Sequence, residues 1–264
     1  PMAVTPDTSM IWTANGPIQI GTFDIANGRP DSGYLVDVYR VGCGNSALTT
    51  NIARTTKDLQ ESCSGQRLTL AQLETGKTMS VSLSMYQFSG RTLAAALFGA
   101  AVVVESGTVT AEQLPELAPG DYFNLRHPKA SAIVIEDSTA VTPLVYVAGT
   151  HYTVEDADHA RCRLIAHPAA HVEPLRVDYA YGGYVNIAAF GAASVERGII
   201  FNGVNQDGKK GRVIIPRIAL AMDGDFSWLT NEEATLKLSG AGLYVPELVS
   251  DGSYGGFARV SLFD

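Results

Sequence analysis

Cysteine is scarce in this sequence, and the cysteines present do not suit a disulfide framework. Three occur among 264 residues, an odd number, and Cys43, Cys63 and Cys162 lie far apart. Small secreted domains instead carry even numbers of cysteines at close spacing. The cysteine usage therefore predicts free thiols and assembly in a reducing cytoplasm.

Charged residues are also few, and the positive sign is the scarcer. Lys and Arg total 19 against 27 Asp and Glu, so the formal net charge is −8, and charged residues make up 17% of the chain. Gripping nucleic acid needs Lys and Arg against the phosphates, so no such surface is expected. An acidic wall past which DNA slides remains compatible with this charge. The low charged fraction favours a protein with part of its surface covered in an assembly.

Long apolar runs and a secretory signal are both lacking. The longest apolar run, residues 93–104, is interrupted by Gly99 and is too short to span a bilayer. The first six residues, Pro-Met-Ala-Val-Thr-Pro, do not form a basic segment followed by an apolar one. We therefore expect no membrane partner and no secretion.

The sequence motifs of common enzymes are missing as well. There is no nucleophile elbow, no His-Glu-x-x-His pattern and no dinucleotide-binding glycine pattern. Residues 203–210 approach the phosphate-binding loop, but Lys210 stands where a hydroxyl residue should bind magnesium. A β-branched run follows, where that loop requires a helix. We expect no catalytic residue and no nucleotide site.

One cluster of histidines and a cysteine has the composition of a metal site. It consists of His159, Cys162, His167 and His171. A structural zinc site usually opens with two cysteines, and here there is one, so surface histidines around a turn are the favoured interpretation. Acidic pairs at 155–158 and 223–225 lack the ligand spacing of a calcium loop. The sequence therefore predicts no metal and no cofactor.

The strongest positive signal is a run of antiparallel strands between residues 195 and 245. Strands are predicted at 195–204, 212–222 and 233–239. The loop 205–211 is polar and contains two glycines, as a hairpin connection requires. Alternation along the second strand places four large side chains on one face: Ile214, Ile218, Leu220 and Met222.

The first hundred residues predict shorter elements. Asn15-Gly16 predicts a hairpin between residues 11–13 and 18–23. Residues 45–66 are rich in Thr, Asn and Ser without periodicity and predict a long loop. Glu74-Thr75-Gly76 then predicts a turn between strands at 67–73 and 79–85. The second of these alternates regularly, with Met79, Val81, Leu83 and Met85 on one face.

One helix is predicted, between Ser89 as its cap and Gly99 as its end. Residues 103–184 then predict an inserted β module, because short strands recur between Pro- and Gly-containing turns. The core domain would comprise residues 1–102 and 185–264, with Gly182-Gly183 near the second seam. The expected fold is mainly β: two packed antiparallel sheets, one short flanking helix and an inserted small β-sandwich.

This order of elements resembles the major tail tube protein of tailed bacteriophages, of the siphovirus type. Three features carry the resemblance. They are the strand pair 67–85 leading into the short helix, the β insertion with its Gly149-Thr-His-Tyr152 segment, and the strand–loop–strand–turn–strand pattern of 195–245 that closes in Ser239-Gly-Ala-Gly242. The resemblance is one of pattern and covers most of the chain.

The resemblance implies a structural virion protein without enzymatic activity. Six copies would close a ring through a shared inner β-barrel, and rings would stack into a tube with a polar, acidic lumen for DNA ejection. The implied partners are further copies of the chain, the tail tip, terminator and tape-measure proteins, and DNA in transit. The inserted module is expected on the tube exterior.

The candidate functional residues lie in two loops. The loop of Asn205, Gln206, Asp207, Lys209 and Lys210 is predicted to project at one rim of the sheet. There it would meet an acidic rim of the next ring, for which the candidates are Asp223, Asp225, Glu232 and Glu233. The equally weighted alternative is that both lysines are simply solvated.

A second class of function is a β-sandwich binding module, for example one that recognises carbohydrate. Its surface would come from Trp- and Tyr-bearing loops. The candidate residues are Trp12, Trp228, Tyr179, Tyr181 and Tyr184. Oligomeric state separates the two classes, since a binding module would be a monomer or dimer.

Overall fold

The protein is mainly β, with antiparallel sheets and, in the part of the chain that the structure describes, a single α-helix, so the predicted fold class is confirmed. The computed structural model describes residues 14–63, 65–191, 193, 195–250, 252 and 254–263. Residues 11–13 of the predicted first hairpin, and Trp12 with them, lie outside these ranges. Within the described part of the chain, no helix has the length and apolar character needed to cross a membrane.

The chain divides into two compact units, which are called unit 1 (residues 1–100 and 187–264) and unit 2 (residues 101–186). The described residues form one α-helix, α1 (Gly90–Ala96), between the fourth and fifth strands. The strands are β1 (Ile18–Phe23), β2 (Leu35–Arg40), β3 (Asn45–Gln60), β4 (Thr69–Met85), β5 (Ala101–Val104), β6 (Gly107–Gln113), β7 (Tyr122–Asn124), β8 (Ala130–Glu136), β9 (Val145–Tyr146), β10 (Tyr152–Asp156), β11 (Arg161–Leu164), β12 (Arg176–Tyr181), β13 (Tyr184–Ile187), β14 (Arg197–Val204), β15 (Lys210–Met222), β16 (Leu236–Gly242) and β17 (Arg259–Phe263).

Unit 1 is built on one eight-stranded sheet with the order β2-β1-β14-β15-β16-β4-β3, and β17 also pairs with β15. The long strand β15 has two partners on the same edge. Its first part, from Lys210 to Ile214, pairs with β17, and its last part, from Ile218 to Met222, pairs with β16. Pro216 lies between the two pairings, where its missing N–H costs no ladder hydrogen bond.

A β-bulge in β15 makes the faces of this strand differ from the prediction at one residue. The register with β14 shifts between the pairs Ile199↔Ile215 and Arg197↔Ile218. Extra residues on one strand reverse the alternation beyond them. Ile215 and Ile218 therefore both face the main core, whereas Ile214 packs in a separate cluster on the other side. Placing Ile214 on one face with Ile218 was wrong.

The main core of unit 1 lies on one face of the sheet. The alternating face predicted for 79–85 is confirmed, because Met79, Val81, Leu83 and Met85 are all buried there. The predicted helix is confirmed too. The Ser89 side chain accepts a hydrogen bond from the Thr92 backbone N–H at 3.3 Å, which satisfies one of the free donors of the first turn.

The predicted loop at 45–66 and the predicted turn at Glu74–Gly76 are both wrong. Residues 45–60 form β3, which pairs with β4 from Asn45↔Met85 to Gln60↔Thr69. Glu74 lies inside β4, at a register shift between Thr55 and Thr56 of the partner strand. Alternation is missing from β3 because nearly all of its side chains are exposed or half-exposed, so no buried face selects apolar residues at every second position.

Unit 2 is a small β-sandwich. A three-stranded sheet, β10-β11-β7, and a four-stranded sheet, β6-β12-β8-β9, contribute side chains to one core. Cys162 and Leu164 come from the first sheet, and Ile135 and Val177 come from the second; all four are 0% exposed. The remaining strands, β5 and β13, pair with each other.

Candidate functional site

The basic loop, residues 205–210, is a tight and ordered turn. The side-chain oxygen of Asn205 accepts a hydrogen bond from the Asp207 backbone N–H at 2.9 Å. The backbone N–H of Asn205 donates to the Lys209 carbonyl at 2.8 Å. Gly208 has φ +80°, a conformation that favours glycine. Asn205 is thus buried and holds the loop, while the other candidates are exposed: Gln206, Asp207, Lys209 and Lys210.

The acidic loop, residues 223–235, joins β15 to β16 at the opposite end of β15. Asp223, Asp225, Glu232 and Glu233 are all exposed there. None of these carboxylates, and neither lysine of the basic loop, forms an ion pair with another described residue. Within one chain the structure does not bring the two loops together, because a 13-residue strand separates them by ~40 Å at about 3.3 Å per residue.

Phe226 fixes the acidic loop to unit 1, and two nearby side chains of the loop are largely exposed. The ring of Phe226 packs against the main core and lies 5.5 Å from the ring of Phe88. Trp228 meets Phe226 edge to face at 4.7 Å between ring centres, yet 74% of Trp228 and 96% of Leu229 are exposed. The sequence places Trp228 among candidate binding residues, but Leu229 was missed.

The last strand adds an exposed apolar surface next to the basic loop. Phe263 lies directly opposite Lys210 across the β15–β17 pair, and Leu262 lies opposite Gly211. Leu262 is 68% exposed, and Val260 and Phe263 are exposed as well. The sequence shows these apolar residues, with Ser261 between two of them, but nothing in it assigns them a functional role.

The outer half of the β3–β4 hairpin forms an arm, residues 52–60 and 69–78, which extends beyond the end of β16. The pairing of β4 with β16 covers only Met79 to Met85. Past that point, the arm carries exposed apolar side chains: Ile52, Leu59, Leu70 and Leu73. Glu74 lies 3.6 Å from the Arg54 guanidinium and 3.1 Å from the Lys77 ammonium. β3 lies at the edge of the sheet and pairs with β4, and no other described strand pairs with its outer edge.

Part of the face of the sheet opposite the core is covered by small, uncharged side chains. Two rows of paired residues cross four strands: Asn51–Ser80–Ala241–Ala219 and Thr49–Ser82–Ser239–Ala221. All eight are exposed or half-exposed. A shallow depression along these rows is lined by Thr49, Ser80 and Ser239 among others. These two rows offer hydrogen-bonding groups but no charge, and the next row on the same face holds the exposed Lys237, opposite Ser84.

The predicted metal-like cluster is divided in unit 2. Cys162 is buried in the sandwich core, where burial raises the pKa of its thiol to about 11. His159 pairs with Asp156 at 2.7 Å instead. Only His167 and His171 come together, with stacked rings 3.9 Å apart, and Glu173 joins them so that the three potential ligand atoms lie within 4.8 Å of one another.

The ring of His167 is already occupied by hydrogen bonds. Its Nε2 donates to the Leu117 carbonyl at 2.8 Å, because a carbonyl only accepts, and its Nδ1 faces the Tyr146 hydroxyl at 2.9 Å. Burial raises the pKa of Tyr146 to about 12, with the negative charges of Glu173 and Asp137 adding to the effect. The trio therefore offers two ligand atoms, from His171 and Glu173, where zinc takes three or four from protein.

The tyrosines of the alternative binding surface lie in unit 2 and are not equivalent. Tyr179 is buried and donates its hydroxyl hydrogen to Glu112 at 2.6 Å, so it is not available to a ligand. Tyr181 and Tyr184 are half-buried around His127. The ring of Tyr181 stacks on that imidazole at 4.1 Å, and the Tyr184 hydroxyl lies 3.0 Å from its Nδ1. Trp228 belongs to unit 1.

Comparison with known proteins places the chain in a family. Residues 15–261 match the family described as Protein of unknown function UCP028589. None of the curated proteins compared with the chain matches it. Because the match extends over nearly the whole sequence, the protein belongs to the family described as Protein of unknown function UCP028589.

Proposed function

We propose that this protein is a structural subunit that assembles with copies of itself into homohexameric rings, and that the rings stack as the tail tube of a bacteriophage. DNA would pass through the channel on its way into the host. The chain would act in the virion tail through its surfaces rather than through an active site.

The observation that carries this proposal is the arm. A two-stranded ribbon is marginally stable in water unless a third strand or another packing surface covers it. The arm nevertheless exposes Ile52 and Leu70 by 76% and 72%. Apolar side chains of this size, placed on a strand pair that leaves its own core, are typical of a surface covered by another protein. A neighbouring subunit would cover it.

The open edge of β3 supports the same conclusion. A long, unprotected edge strand promotes uncontrolled pairing, and closed assemblies remove such edges. In a closed ring, every subunit makes the same contact with its neighbour. Closure of the ring would therefore cover the β3 edge of every subunit. Pairing at β3 would bury N–H and C=O groups along its length.

The uncharged rows on the outer face of the sheet suit the wall of a DNA channel. Phosphates bind to Lys and Arg, and a wall of serine, threonine, asparagine and alanine gives them no strong contact. The resemblance implies an acidic or polar lumen. If this face lines the channel, the two rows give a polar and neutral lining, with the positive charge of Lys237 at their border.

The experiment is to shorten the arm without changing the core. Residues 55–76 are replaced by Asn-Gly, which joins the directly paired residues Arg54 and Lys77 by a two-residue hairpin turn. The matched control replaces only the tip, residues 61–68, by Asn-Gly between the paired residues Gln60 and Thr69. Each protein is studied by sedimentation and negative-stain microscopy.

The proposal predicts rings or tubes for the wild type and the tip control, and a folded monomer for the arm-shortened variant. A wild-type protein that stays monomeric at every concentration would overturn the proposal in favour of a binding module. If the arm-shortened variant formed rings equally well, the arm would not be needed for assembly and would no longer support the proposal.

A further inference from the structure

The two ends of β15 carry opposite chemistry. At its beginning, Lys210 follows Lys209 and lies opposite Phe263, and the exposed side chains of Val260 and Leu262 share one face of the neighbouring strand β17. At its end, the acidic loop surrounds the exposed side chains of Trp228 and Leu229 with four carboxylates. Each end combines an apolar patch with charges of one sign, and the signs are opposite.

These two surfaces cannot satisfy each other within one chain, since they lie at opposite ends of the same strand. A second copy placed head to tail brings the acidic end of one subunit against the basic end of the next. Contacts between two different patches of one protein propagate into rings or filaments, depending on the symmetry. The charge complementarity therefore selects a second copy of this chain as the partner.

We propose that the acidic loop docks on the basic end of another copy, with Trp228 and Leu229 packing against Val260 and Leu262. This inference rests on the proposed self-assembly and assigns the contact between stacked rings. The indole is presented by Phe226, which is itself held against the main core, so little ordering is needed when it binds.

The apolar anchors and the charges have different roles in this contact. Large aromatic side chains near the centre of an interface carry most of its affinity. Lysines and carboxylates at the rim set orientation and the rate of encounter, and their effect weakens as salt screens them. Loss of the anchors should abolish stacking at any salt concentration, whereas charge reversal should abolish it most clearly at low salt.

The test uses two variants of the full chain, each with one altered end. The first, Trp228→Ser with Leu229→Ser, removes the anchors of the acidic loop. The second, Lys209→Glu with Lys210→Glu, reverses the charge of the basic end. Val141→Ser is the control, because Val141 is an exposed apolar residue of unit 2. Circular dichroism checks folding, and sedimentation and negative-stain microscopy report the length of the assemblies.

A head-to-tail contact gives a specific result when the variants are mixed. Every junction needs one intact acidic end and one intact basic end, so each variant alone should remain as single rings. In the mixture, rings of the first variant keep their basic end and rings of the second keep their acidic end. They should form paired rings and nothing longer, while the Val141→Ser control stacks like the wild type.

Other outcomes overturn the inference. If the altered proteins form stacks as long as the wild type, these ends do not make the contact. If the mixture yields no pairs, the two ends do not bind each other and another partner covers them. Wild-type rings that never stack reject this inference but leave ring formation standing, whereas a wild-type protein without rings rejects the proposed function itself.

Discussion

Ile52 and Met79 lie directly opposite each other across β3 and β4, yet Met79 is 5% exposed and Ile52 is 76% exposed. Directly paired residues point to the same face of a sheet, so the two side chains differ in what covers them rather than in direction. This pair marks the place where the hairpin leaves the core of unit 1 and becomes the arm.

The first prediction contrasts the two sides of this boundary. Ile52→Thr with Leu70→Thr places a β-branched residue at both positions, and it should change the free energy of unfolding by less than about 0.5 kcal/mol, because both positions are exposed. Ring formation should nevertheless fall sharply. Sedimentation and chemical denaturation of the same sample measure the two effects.

Met79→Ala is the matched comparison. It should lower the free energy of unfolding by about 2–5 kcal/mol, because the smaller side chain leaves a cavity in the core. The surface of the arm should be unchanged. If the arm double substitution destabilised the monomer as much as Met79→Ala does, the arm would have to pack within its own chain.

The same boundary shows what the sequence could and could not predict. Where one face is buried, as at 79–85, alternation revealed the strand and its inward side chains. In β3 no side chain is fully buried, so polar residues occupy most positions and the alternating pattern disappears. The Glu74–Gly76 segment has turn-forming residues, but in a paired strand it produces only a register shift.

The second prediction concerns the independence of the two units. Leu83 lies in the core of unit 1 and Ile135 in the core of unit 2, and both are 0% exposed. Each unit has its own core, so thermal unfolding should show two transitions. Leu83→Ala should lower only one of them and Ile135→Ala only the other. Calorimetry in which both substitutions shift one common transition would show that the units unfold together.

The third prediction is a pH dependence in unit 2 that arises from Asp137, which is 1% exposed. Burial would raise its pKa, but hydrogen bonds from Thr139, from the Leu144 N–H and from the Val172 N–H outweigh this and lower the pKa to about 2. An unfolded Asp has a pKa of about 3.9. The stabilisation is therefore complete above that value and is lost as pH falls from about 4 to about 2.

Asp137→Asn tests this dependence. An amide has one acceptor oxygen and would turn its NH₂ group toward some of these donors, so the variant should be less stable at neutral pH. Its unit 2 transition should then change little between pH 4 and pH 2, unlike that of the wild type. An equal loss of stability on acidification in both proteins would assign the pH dependence to other groups.

The fourth prediction concerns the thiols. Cys43 and Cys63 are exposed and Cys162 is buried, and all three are free. Burial raises the pKa of Cys162 to about 11, which leaves little reactive thiolate at neutral pH. A thiol reagent should modify two cysteines quickly in the native monomer and the third only when unit 2 unfolds. Rapid modification of all three, located by mass spectrometry, would show that the sandwich core opens readily.

The candidate site shows a similar limit to sequence-based prediction. The basic and acidic loops are recognisable because turn residues and charges lie between alternating strands. Their placement at opposite ends of β15 follows from hairpin connectivity. The apolar neighbours were not predictable, because the pairing of Lys210 with Phe263 joins residues distant in sequence, and nothing local indicates that Leu262 stays exposed.

The most direct test of self-assembly is cryo-electron microscopy of the purified wild-type protein, combined with its mass in solution. The account predicts rings with six-fold symmetry, a central channel and a mass six times the 28.0 kDa of one chain, in which the arm of each subunit contacts a neighbour. A monodisperse particle of one or two chains, unchanged as the concentration rises, would contradict it.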